Sequence, residues 1–87
     1  MEEYKQKLAR IFSINAKEKE YLQSRIRGCE MELKVWEQHP HNMEEKFEEL
    51  RNMKISFKKQ LEIIIRFEDN LILEFPDIEE WAEEMAV

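Results

Sequence analysis

Turn chemistry is almost missing from this chain: one glycine, Gly28, and two prolines, Pro40 and Pro76, punctuate 87 residues. Sheet folds need frequent reversals built from Gly, Pro, Asn and Asp, so an all-β architecture is set aside and long helices are expected. A chain of this length forms one domain, taken as residues 1–87. Its 43% hydrophobic content suffices for a core. So small a chain hides only about 60–65% of its unfolded surface, and depends on efficient packing or on a partner.

The apolar residues recur with helical spacing. Leu22, Ile26, Cys29, Leu33 and Trp36 are separated by alternating steps of four and three. Met43, Phe47, Leu50, Phe57, Leu61, Ile64, Leu71 and Phe75 follow the same rule, with Lys54 and Glu68 in the missing places. This is the heptad seam of coiled-coil helices crossing at about 20°. A short connection at "EQHPHN" turns the second helix antiparallel to the first. Pairing outward from that turn sets Trp36 against Met43, Cys29 against Leu50, Leu22 against Phe57 and Leu8 against Leu71.

Three phrases, "NAKE" at 15–18, "NMEE" at 42–45 and "DIEE" at 77–80, place Asn or Asp three residues before Glu. That is the spacing of a capping box, and it proposes helix starts near Ala16, Met43 and Ile78. Pro40 and Pro76 support the second and third starts; nothing in "IFSINAKE" stops a helix. The expected fold is therefore all-α: a long antiparallel helical hairpin over about 3–38 and 43–74, then a short helix over about 78–86. A break near 13–15 stays open, the continuous helix being favoured. Lys54, Glu68 and, in a continuous helix, Lys19 interrupt the seam; the expectation is stems along the seam and charges in water, the alternative a role in fixing register.

The segment "LEIIIRFEDNLILEF" holds more apolar side chains than the seam uses. Ile63, Ile65, Phe67 and Ile72 point to other faces of the helix, and a helix apolar most of the way round is buried most of the way round. Three covers are open: the C-terminal helix with Ile78, Trp81 and Met85, a second copy closing a four-helix bundle, or a different protein. The second copy is favoured, making a homodimer the expected state. A strand here is disfavoured, since no second strand exists to pair with it.

Catalytic and ligand chemistry find little support. His39 and His41 flank Pro40 beside Glu37 and Glu45, yet no further histidine exists, and a solvated connection is expected rather than a metal site. Cys29 occupies a seam position, far from either histidine, so it is read as packing and not as a nucleophile. Ser13, Ser24 and Ser56 have no triad pattern, and a lone glycine makes no phosphate cradle. No enzyme activity, cofactor or metal is expected.

Charge separates the two halves. Residues 1–40 carry eight basic and seven acidic side chains, whereas residues 41–87 carry six and thirteen. The last twenty residues contain eight acids and no Lys or Arg, an end that repels phosphate and attracts basic protein surfaces. Nucleic-acid binding there is not expected; the alternative is a regulator using a basic mid-hairpin stripe of Arg51, Lys54 and Lys58, diluted by Glu48, Glu49 and Glu62. The acidic start Met1-Glu2-Glu3, apolar runs of at most three residues and a single cysteine lead to an expectation of a cytoplasmic protein outside the membrane.

The function expected is non-enzymatic protein–protein interaction, by an adaptor or an inhibitor that occludes a partner surface. Its size and acidity are in the style of small phage-encoded accessory proteins. The partner-binding residues singled out are Ile63, Ile65, Phe67, Ile72, Asp77, Glu80, Trp81, Glu84 and Met85. An amphipathic acidic helix at the C-terminal end suits a partner groove with a basic rim.

Overall fold

The computed structural model describes residues 2–38 and 44–86. Helix α1 spans Glu3–Glu37, α2 Glu44–Glu74 and α3 Ile78–Ala86. These bounds lie within one residue of those expected. The turn with His39, Pro40 and His41, the cap at Asn42 and the Met43 opposite Trp36 lie outside the described residues.

Helix α1 runs unbroken through Ser13–Asn15. Asn15 does not cap a helix start there. It is only 5% exposed, and its Nδ2 donates to the carbonyl of Ile64 at 3.1 Å. This contact falls one heptad from Leu22 and Phe57 in one direction, and one heptad from Leu8 and Leu71 in the other. The hairpin thus keeps the expected register through the stretch where a break stayed open.

The core along the seam is thin. Leu22, Ile26 and Cys29 of α1 are buried, with Leu50 and Leu71 of α2. Burying a large aliphatic side chain contributes roughly 1.5–3 kcal/mol, so few such residues leave little margin against chain entropy. The charged interruptions of the seam pair instead of simply reaching water. Lys19 Nζ donates to Glu68 Oε1 at 2.7 Å, with the two side chains 29% and 13% exposed. Lys54 Nζ lies 3.3 Å from Glu30 Oε1.

Pro76 closes α2, since its ring removes a donor and restricts the residue before it. The Phe75 amide still donates to the Leu71 carbonyl at 2.8 Å, and the Ile78 amide donates to the Phe75 carbonyl at 3.0 Å, which makes the reversal tight. From this turn α3 lies chiefly along α1, with little contact to α2. Small side chains on α1 permit the approach: Ala9 is fully buried, and Ser13 and Ala16 line a crevice with Ala82 and Ala86. Ile78 is fully buried. The molecule is long and flat, 59 × 24 × 15 Å, with a radius of gyration of 17.9 Å. A compact chain of this length would have about 12 Å. Fifteen ångströms is roughly two helix layers, so among the described residues no helix covers the remaining face of the hairpin.

Candidate interaction face

That remaining face is apolar at its centre. Ile11, Ile14 and Asn15 of α1 line a shallow groove with Ile64 and Phe67 of α2. Ile63, one turn before Phe67, projects to the same side of α2. Exposure is high for such side chains: Ile11 44%, Ile14 68%, Ile63 66% and Phe67 44%. Tyr4 and Tyr21, at the two ends of the same side of α1, are exposed as well. The groove is closed at its floor by the Asn15 side chain and rimmed by Glu18.

Of the residues expected to bind a partner, Ile63 and Phe67 therefore share one surface, but with Ile11 and Ile14 of α1, which are not among those expected. Ile65 and Ile72 stand on the other flank of α2; Ile65 is exposed and Ile72 half-buried. The C-terminal residues form a separate edge. Asp77, Glu80 and Glu84 are exposed at helical spacing on α3. Trp81 is half-buried between the ring of Phe75, 6.3 Å away at 52°, and the ammonium of Lys5, 5.3 Å from its ring centre. Lys5 and Trp81 line a crevice with Glu2 and Glu84. Met85 borders a second one, with Ile14, Arg10 and Lys17 on its α1 side. The apolar stripe of α3 is thus largely spent on its own chain, and its acids are what it presents outward.

The signal for Ile11 and Ile14 was available in the spacing. Tyr4, Lys7, Ile11, Ile14, Glu18 and Tyr21 are separated by steps of three and four. They form a second stripe beside the seam of the same helix. The dense cluster at Ile63–Ile65 is the stronger apolar signal, and it lies on α2 alone.

The basic stripe is partly committed. Lys54 is paired with Glu30, Arg51 lies over the ring of Phe47 at 5.6 Å, and Arg25 lies over Phe57 at 5.3 Å. Cys29 is buried in the seam, as expected. The Trp36 Nε1–H is buried without a partner among the described residues. Among the described residues, no three His, Cys, Asp or Glu side chains converge as a metal site would require; His39 and His41 lie outside them. No helix among the described residues is long and apolar enough to cross a membrane. No protein-family model, curated protein or solved structure matches the chain.

Proposed function

We propose that this protein acts without catalysis, through protein–protein contact, as a small adaptor or an inhibitor that occludes a partner surface. The observation that carries the reading is the uncovered apolar face of Ile11, Ile14, Ile63 and Phe67 on a chain whose own core is thin. A contiguous apolar surface on so polar a chain has a cost in water that a bound protein removes. The acidic edge of Asp77, Glu80 and Glu84 steers toward a partner with a basic surface, as phage-type inhibitors of host factors would require. A cytoplasmic setting, with a single buried cysteine, accompanies this reading. The nucleic-acid alternative loses part of the charge it needs, because Lys54 is neutralised by Glu30.

The test is cross-linking in the native host followed by capture. The unaltered chain is expected to recover a protein with a basic surface in near-equal amount, and the E80K/E84K chain is expected to lose it. Recovery of nothing by either chain contradicts the reading. A low-salt shift of DNA or RNA that disappears in R51E/K58E turns it toward the nucleic-acid alternative.

A further inference from the structure

We infer that the uncovered face is filled by a second copy of this chain lying antiparallel on the first, α1 on α1 and α2 on α2. The inference rests on the reading above for the face alone: it names the occupant and its register, and leaves the exposed acidic edge of Asp77, Glu80 and Glu84 to the different protein. It is carried by a symmetry in the two stripes that form the face.

On α1 the stripe is Tyr4, Lys7, Ile11, Ile14, Glu18 and Tyr21. Laid against itself end for end it is complementary: Tyr4 meets Tyr21, Lys7 meets the opposite charge of Glu18, and Ile11 meets Ile14. Two antiparallel copies centred between Phe12 and Ser13 would pack isoleucine on isoleucine at the middle. Opposite charges come next, and tyrosines close each end. Because the two-fold axis repeats every contact, Lys7 meets Glu18 twice. The stripe is presented outward: Tyr4, Ile11, Ile14 and Tyr21 are exposed, and Lys7, in an i,i+4 contact with Glu3 at 3.6 Å, has its side chain mostly in water, as has Glu3.

On α2 the matching stripe is Ser56, Gln60, Ile63, Phe67, Asn70 and Glu74. Its midpoint is Ile65, and it too reads alike from both ends. Ile63 answers Phe67, the amide of Gln60 answers that of Asn70, and the Ser56 hydroxyl answers the Glu74 carboxylate. Ser56, Gln60, Asn70 and Glu74 are all exposed. In the register fixed by Asn15 and Ile64, the midpoint of the α1 stripe lies opposite Arg66–Phe67. The two midpoints therefore agree to within two residues, about 3 Å along the helix. One axis serves both helices.

Charge selects this orientation over a parallel one. Parallel stacking would lay the acidic end of one copy on the acidic end of the other. The antiparallel register sets residues 71–75 beside the second copy's 55–59, where Lys59 flanks the stripe. Area agrees as well. The chain exposes 6912 Å², about 1,400 Å² more than a compact monomer of its mass, and a standard interface removes about 800 Å² from each partner.

The test is sedimentation equilibrium of the purified full chain and three charge variants. The unaltered protein is expected at twice 10.7 kDa. Lys7→Glu alone and Glu18→Lys alone each create two like-charge contacts and should weaken association about tenfold or more. The double reversal K7E/E18K restores opposite charges and should recover the original affinity. That rescue would not occur if either residue acted only on folding. A wild-type chain that stays at 10.7 kDa at high concentration overturns the inference. So does a dimer insensitive to the single reversals, or a double variant no tighter than the singles. Any of these leaves the contact with a different protein to be decided by capture from cells.

Discussion

The Asn15 side chain donates to the Ile64 carbonyl at 3.1 Å, across 49 residues of sequence and at a seam level otherwise meant for apolar groups. A polar group at a seam position lowers stability but specifies which residues stand opposite one another. Asn15→Leu should therefore leave stability within about 1 kcal/mol of the original, since donor and bond are removed together. It should also loosen the register, read as broadened amide resonances on both helices. Asn15→Asp puts a carboxylate against a carbonyl with no donor between them, and should cost about 3 kcal/mol or more in denaturant unfolding.

Lys19 and Glu68 give an asymmetric double-mutant cycle. Lys19→Met leaves the more deeply placed carboxylate without its partner and should cost about 2 kcal/mol. Glu68→Gln should cost less, because the longer Lys19 stem reaches water on its own. The double variant should lose less than the two singles together, a coupling of about 1–2 kcal/mol. Additive losses would mean the 2.7 Å contact contributes nothing.

Gly28 sits exposed inside α1, and a Cβ there would meet nothing within 4 Å. Gly28→Ala should stabilise the chain by about 0.5–1 kcal/mol through helix propensity alone. Thermal unfolding should show the midpoint rising by roughly 3–6 °C.

Ile78 is fully buried and anchors α3. Ile78→Ala should cost about 3 kcal/mol, and the loss should be local. Hydrogen exchange should quicken across residues 79–86 while the buried middle of α1, around Leu22 and Ile26, keeps its protection. Trp81, no longer held against Phe75 and Lys5, should shift its fluorescence to longer wavelength.

Much of the hairpin was legible because it depends on spacing. Trp36, Cys29 and Leu22 define one seam, Leu50 and Phe57 the other, and a short turn leaves a single register between them. The phrase "NAKE" has the spacing of a capping box yet starts no helix, and α1 runs on through it as favoured, because a capping box is a local rule. The seam level of residue 15 is a tertiary fact, and it decided what the asparagine bonds to. The docking of α3 on α1 was hidden for a different reason. Ala9, Ser13 and Ala16 mark where a helix can come close, but smallness is a weaker signal than the bulk of Ile63, Ile64 and Ile65. The same bulk outweighs Ile11 and Ile14, half of the candidate face. Their importance rests on a symmetry that becomes visible only once the two stripes are known to face the same way.

One distance separates the antiparallel pair of copies from a parallel pair and from a solitary chain. Met31 is 69% exposed, so Met31→Cys accepts a spin label while Cys29 stays closed in the seam. With the axis near residue 12, dipolar spectroscopy should give label separations of about 55 Å, the length of some 37 helical residues. Separations below about 30 Å, as side-by-side parallel rods of 10–12 Å diameter would give, or no dipolar signal from a solitary chain, would contradict it.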